Sequence, residues 1–340
     1  MNSKPVLIGM TLDEIAQACK TFEIPGYAIR ELALWIYKRG ANDIEQLTNI
    51  SKKNRNALAE GFDLGLTPPT KVSVSNDGTK KYLFPAGTSG YIETAYIPDG
   101  KRNTLCISSQ IGCKLGCEFC MTGRQGFQGQ LSVNQILNQF LSLPEKELIT
   151  NIVFMGMGEP FNNTDALMKS LDILTSDYGM QLSSRKITVS TVGIIPGMCR
   201  FIEETNCQLA ISLHNPFNDE RSEIMPVEKA YPIENVIQVL KEYHFKKYRR
   251  LSFEYIVFKG INDTPRHVNQ LARVLNGLRC RINLIRFHSI PDSSFTSTDE
   301  KTIQDFQRRL NNKGIVTTIR ASRGEDIMAA CGLLSTKAYT

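Results

Sequence analysis

Three cysteines fall in one short stretch, Cys113-Lys-Leu-Gly-Cys117-Glu-Phe-Cys120. Thiolates at this spacing suit zinc or an iron–sulfur cluster. A structural zinc site wants four ligands, commonly as closely spaced pairs, so zinc here would have to borrow Cys106. A four-iron cluster held by three cysteines instead leaves one iron open to a small chelating ligand. Gly112 and Gly116 suit a loop that must wrap tightly around a bulky group. The chain has nine cysteines, and the others, Cys19, Cys106, Cys199, Cys207, Cys280 and Cys331, are scattered. An odd number in a long chain without a secretory leader argues for metal or redox chemistry over a disulfide framework.

Other candidate groups sit at the ends of strand-like runs. Gly156-Met-Gly158-Glu159-Pro160 closes one such run, where glycines let the backbone approach a ligand and Glu159 can accept from an ammonium group. Ser190, Ser212, Leu213, His214 and His288 lie near the ends of later runs, positions that turn or packing residues also occupy. Glu93 in Tyr91-Ile-Glu-Thr-Ala-Tyr-Ile97 is, by strand alternation, a solvent-facing carboxylate. Cys331 in Ala-Ala-Cys-Gly-Leu-Leu and Cys106 in an apolar run read most simply as small buried hydrophobes. His244 and His267 carry no motif and read as solvated.

At 340 residues, with 41% hydrophobic and 22% charged, the chain has room for a large core and is neither disordered nor fibrous. Residues 1–70 read as a helical module opened by the capping box Thr11-Leu-Asp-Glu14. Residues 71–102, with a turn at Asn76-Asp77-Gly78, read as a β-meander linking two domains. From residue 103 strands alternate with helices. The strand-like runs are 104–108, 151–157, 186–192, 208–213, 252–258, 281–287 and 315–319, with helices capped at Ser132, Pro232 and Thr264 between them. This predicts an α/β fold, an open, partial (β/α)6 barrel over 103–340. The three-cysteine loop then follows the first barrel strand, at the end where barrels place their chemistry.

The three-cysteine spacing resembles the signature of the radical S-adenosylmethionine (SAM) superfamily. Longer segments, Leu105-Cys-Ile-Ser-Ser-Gln-Ile-Gly-Cys113, Phe154-Met-Gly-Met-Gly-Glu-Pro160, Ile187-Thr-Val-Ser-Thr-Val-Gly193, Leu213-His214 and Arg323-Gly-Glu-Asp-Ile-Met-Ala-Ala-Cys-Gly332, resemble the RlmN family of dual-specificity adenine-C2 methyltransferases. The likeness spans nearly the whole chain.

That resemblance implies a [4Fe-4S] cluster on Cys113, Cys117 and Cys120, and two SAM molecules per turnover. One SAM would methylate Cys331. The other, cleaved on the open iron, would generate an adenosyl radical that takes hydrogen from the methylated thiol. The methylene radical then adds to adenine C2, a carbon too electron-poor for ordinary methyl transfer. By the same likeness Glu93 is the proton acceptor, and Cys106 resolves the protein–RNA adduct through a transient disulfide with Cys331. Gly158, Glu159, Ser190, Ser212, Leu213 and His214 match SAM contacts. His288 stands where many relatives have Asn, and both can hydrogen-bond the cofactor.

The implied substrates are 23S rRNA, at the peptidyl-transferase centre, and tRNA, at the adenine 3′ of the anticodon, with an electron donor such as flavodoxin. The net charge of +6 permits a polyanionic partner. Acidic and basic residues balance over 1–100, so the excess lies in 101–340, where Lys246-Lys247-Tyr248-Arg249-Arg250 forms a basic run. No apolar stretch is long enough to cross a membrane, and the expectation is a cytoplasmic monomer. Two other readings stay open: a C8-specific rRNA adenine methyltransferase of the antibiotic-resistance type, and a non-catalytic, zinc-bearing RNA-binding protein.

Overall fold

A computed structural model describes residues 4–22, 24–87, 90–246 and 248–336. The chain opens with helices α1 (Leu12–Cys19), α2 (Gly26–Tyr37) and α3 (Lys52–Gly61). The Thr11 capping box forms in both directions, Thr11 Oγ1 accepting from Glu14 N and Glu14 Oε2 from Thr11 N. Ile15, Leu32, Ile36 and Leu58 face one another inside this module. Strands β1 (Lys71–Val74), β2 (Lys80–Ala86) and β3 (Gly90–Asp99) then run antiparallel, followed by β4 (Arg102–Cys106).

The meander is not a free linker. Gly100, with φ of 57°, turns the chain so that β3 pairs antiparallel with β4 from Asp99↔Arg102 to Ala95↔Cys106. The three meander strands therefore extend the barrel sheet at its first strand. A small hairpin follows, β5 (Gln110–Gly112) with β6 (Phe127–Gln130), enclosing the cysteine loop and the short helix α4 (Met121–Gln125). Sequence periodicity gave no sign of these strands, which are too short to show alternation.

The rest alternates: α5 (Val133–Leu141), β7 (Asn151–Phe154), α6 (Thr164–Thr175), β8 (Ile187–Thr191), α7 (Ile195–Glu204) and β9 (Gln208–Ser212). Then come α8 (Asn218–Ile224), α9 (Ile233–Glu242), β10 (Leu251–Val257), α10 (Pro265–Val274), β11 (Cys280–Arg286), α11 (Glu300–Asn312) and β12 (Val316–Ile319). Strands β4, β7, β8, β9, β10, β11 and β12 pair parallel in that order, and the sheet does not close from β12 back to β1. This is the expected open, partial barrel, with each strand run shifted by only a few residues at its ends. The buried faces of the helices cover it, for example Ile136 and Leu137 of α5 and Val236 and Leu240 of α9.

The helical module is fastened to the barrel through α5. Asn138 exchanges amide hydrogen bonds with both Thr67 N and Thr67 O, at 2.9 and 2.8 Å, and Asn134 donates to Gly65 O. One polar expectation is overturned. His267 is buried rather than solvated, held between Thr264 Oγ1 and Glu220 Oε2 at 2.7 Å each. In the basic run, Arg249 is buried too and donates to the carbonyls of Phe201, Ile202 and Thr205 at the end of α7, while Lys247 lies outside the described residues. No helix among the described residues is long and apolar enough to cross a membrane.

Candidate active site

At the C-terminal end of the parallel strands lies a cavity of about 410 Å³, within the range of small-molecule sites. Cys106, Cys113, Cys117, Cys120, Gly158, Glu159, Ser190, Ser212, His214, His288 and Cys331 all line it. Residues far apart in sequence thus converge on one space, most of them at or just past a strand end and Cys331 on a segment that returns to it after the last strand. Leu213 and Glu93 do not line it. Leu213 is fully buried and meets the site through its carbonyl, which accepts from Arg221 Nε at 2.9 Å.

The cysteine loop is shaped by backbone. Cys113 N donates to Gly126 O at 3.1 Å, and Cys120 N to Cys117 O at 3.1 Å. Gly112 has φ of 69°, and a Cβ there would stand 1.7 Å from Gly126 O. Gly112→Ala is therefore expected to cost about 3 kcal/mol or more, from left-handed strain plus the collision. Thermal melting and iron content after reconstitution check this, with both expected to fall.

Burial pushes the Cys113 thiol up to about 12 and Cys117 well above the ordinary range, and neighbouring Cys120 adds to both. Cys113 and Cys117 therefore resist ionising until something positive takes the negative charge, which is what iron supplies. Among the described residues no three Cys, His, Asp or Glu side chains gather tightly enough to hold a single metal ion. Three cysteines in one loop suit a cluster that takes one thiolate per iron, while a four-ligand zinc site would need a further ligand.

Arg221 is fully buried beside this loop. It pairs with Glu228 and donates to Val192 O, Ser212 O and Leu213 O, tying together the ends of β8 and β9. His214 holds φ of 55° there, its Nδ1 accepting from Ile256 N at 3.0 Å, and burial holds the imidazole down near 3, so it is neutral. His288 Nδ1 lies 3.3 Å from Glu325 Oε1.

Glu159 is buried, with Oε1 accepting from Phe161 N and Oε2 from Val192 N, each at 3.0 Å. Burial outweighs these bonds and pushes the carboxyl up to about 7. A cationic ligand at the cavity would restore its charge.

Cys331 belongs to a segment strapped onto α4: Met121 N donates to Gly332 O at 2.8 Å and Thr122 Oγ1 to Leu334 O at 2.6 Å. Upstream, Gly324 N donates to Asp77 Oδ2 and Ser75 Oγ to Asp326 Oδ1, both on the β1–β2 hairpin. Cys331 is solvent-exposed because the cavity is open, yet enough protein surrounds its thiol to push it up. It is therefore not a buried hydrophobe, whereas Cys106 is buried in a small apolar cluster with Ala95, Val153 and Ala329. Cys106 shares the cavity wall and packs beside Ala329, and burial with the nearby Cys331 thiol pushes it up to about 12. Both thiols are free, so the disulfide is not formed in this structure.

Glu93 is not solvent-facing. Two residues along β3 from Ala95, it shares the face of the sheet that carries Cys106, because both faces of β3 are covered here. Sequence reasoning passed over Glu254 and Arg320, which also line the cavity and pair at 3.3 Å. The signal was present: a carboxylate inside the otherwise apolar run Leu251–Val257, and an arginine immediately after the last barrel strand.

Comparison with known proteins agrees with this arrangement. Residues 107–272 match the model of the radical SAM superfamily, and residues 6–63 match that of the ribosomal RNA large subunit methyltransferase N-terminal domain. The chain is 52% identical over 336 residues to a probable dual-specificity RNA methyltransferase RlmN from Parabacteroides distasonis, covering 99% of this chain and 98% of that one. It is 42% identical to the dual-specificity RNA methyltransferase RlmN of Syntrophus aciditrophicus, over 97% and 96% of the two chains. A crystal structure of a radical SAM methyltransferase from Sphaerobacter thermophilus superposes with a TM-score of 0.91 at 36% identity, covering 97% of this chain and 99% of that one. Matched along essentially its full length by such relatives, the chain belongs to the RlmN family of radical SAM RNA methyltransferases.

Proposed function

We propose that this protein methylates C2 of adenine in 23S rRNA and in tRNA, with Cys331 as the methyl carrier and Cys106 as the thiol that releases the product. The convergence of Cys331, from the end of the chain, and Cys106 on the cavity that also holds the three-cysteine loop carries this reading. Cys113, Cys117 and Cys120 would hold a [4Fe-4S] cluster, and Glu159 the ammonium group of SAM. When bound, these groups supply a carbon radical, the species able to add to an electron-poor ring carbon.

The chain's own residues handle what surrounds that chemistry. The Cys331 sulfur takes a methyl group and presents it at the cavity mouth. Glu93 accepts the proton that leaves C2. The Cys106 thiolate attacks the bridging sulfur and forms a disulfide with Cys331; the S–CH2 bond breaks with its electron pair going to carbon, which takes up a proton to become the methyl group as the base departs. The target base must be unstacked, since a cavity at a barrel mouth cannot enclose a base inside a helix. The reading includes two SAM molecules per turnover, an electron donor such as flavodoxin, a monomer and a cytoplasmic location. Mass spectrometry of RNA modified by the purified enzyme tests it: 2-methyladenosine is the expected product, and 8-methyladenosine or unmodified RNA overturns it.

Glu159 provides a check through pH. Its folded value, about 7, lies above the ordinary 4.5, so the folded chain holds this proton more tightly than the unfolded one. The resulting stability is complete below about pH 4.5 and is lost as pH rises through about 7. The melting temperature of the SAM-free protein, wild type minus Glu159→Gln, is expected to fall by roughly 2–4 °C between pH 5 and 8. SAM affinity of the wild type should rise over the same window, and the variant should lose about tenfold or more while retaining iron. Calorimetry and equilibrium binding measure both.

A further inference from the structure

The Glu93 carboxylate holds two partners that belong to different parts of the molecule. Oε1 pairs with Lys81 Nζ at 2.9 Å, and Oε2 accepts from Ser335 N at 2.9 Å. Lys81 in turn donates to Met328 O at 3.3 Å. The ion pair therefore touches the C-terminal segment three residues before Cys331 and four residues after it. Register explains the convergence: Lys81 lies opposite Ala95, and Ala95 lies opposite Cys106, so Lys81, Glu93 and Cys106 share one face of the sheet. Both charged side chains are buried, Glu93 at 1% and Lys81 at 9% exposure. Met328 is held at φ of 55°, a left-handed conformation its side chain disfavours, with its carbonyl on Lys81.

We propose that the Lys81–Glu93 ion pair is a clasp that brackets the carrier segment and holds Cys331 over the cavity, with Lys81 as a positioning residue. A charged carboxylate binds both an ammonium group and a peptide N–H strongly, and a neutral one binds each less well. The positive groups acting on Glu93 are Lys81 from β2 and, more weakly, Lys71 from β1. The timing that follows rests on the proposed function. When the C2–H bond breaks and its proton bonds to a Glu93 oxygen, the clasp loses its charge, and the segment loosens at the stage when the Cys331 sulfur must yield to Cys106.

Hydrogen exchange of the RNA-free, cluster-loaded enzyme tests the clasp without turnover. Lys81→Met and Glu93→Gln are each expected to speed exchange at Ser335 by about tenfold or more, while Lys81→Arg, which keeps the charge, stays within about threefold of wild type. Peptides covering β10 serve as the control. Wild-type exchange at Ser335 in Lys81→Met, or equal acceleration in β10, overturns the proposal. The role of Glu93 as base fails separately, if Glu93→Gln methylates RNA at the wild-type rate, and that outcome leaves the exchange result standing.

Discussion

Replacing Cys106 by alanine is expected to trap the enzyme covalently on its RNA. Cys331 is still charged with a methyl group and the carbon–carbon bond to the base still forms, but no thiol attacks the bridging sulfur. The product is a species that migrates slowly in denaturing gels and disappears on nuclease treatment. Folding is not the obstacle. Cys106 packs among small or apolar neighbours, Ala95, Val153 and Ala329, so its truncation costs on the order of 1 kcal/mol. Cys331→Ala should bind SAM and retain iron yet form neither methylcysteine nor adduct, and the double variant should form no adduct either. Adduct from the double variant, or turnover by Cys331→Ala, would refute this division of labour.

The second large effect concerns the three-cysteine loop. Cys113→Ala, Cys117→Ala and Cys120→Ala are each expected to lower iron from about four per chain to near none after anaerobic reconstitution, and to abolish SAM cleavage. None of the other cysteines sits in the loop between β5 and α4, so none has the loop spacing of the three. Iron analysis and detection of 5′-deoxyadenosine measure the two consequences. Full iron with full SAM cleavage in any one variant would remove that cysteine from the ligand set.

Much of the barrel was legible because its signals are local. A buried parallel strand reads as a short apolar run and a covering helix as apolar residues at helical spacing with a cap, so Ser132-Val-Asn-Gln135 announced α5 and Thr264-Pro265 announced α10. The meander strands were equally visible, but not the pairing of the last of them with the barrel sheet. Alternation says that a segment is a strand and is silent on which edge it joins, and the β3–β4 contact depends on one tight turn at Gly100. His267 was misjudged for a related reason. A polar side chain reads as solvated until its partner is known, and Glu220, one of the two groups that hold this ring, lies 47 positions away in sequence.

The candidate site divides along the same line. Ligand chemistry is written in residue type and spacing: three thiols within one loop and a carboxylate among glycines are recognisable without coordinates, whereas Cys331 stands out only through the resemblance of its run to the RlmN family. Which of these groups meet was decided by the fold, since the sheet register carries Cys106 and Glu93 to one face and the hairpin and α4 together fasten the Cys331 segment over them. The electrostatic character of the site was decided there as well. Nothing in the letters Gly-Glu-Pro says that Glu159 is held near neutrality, or that Glu93 is gripped by Lys81. Burial and charge pairing are properties of what surrounds a group, and those surroundings come into being only when distant segments pack.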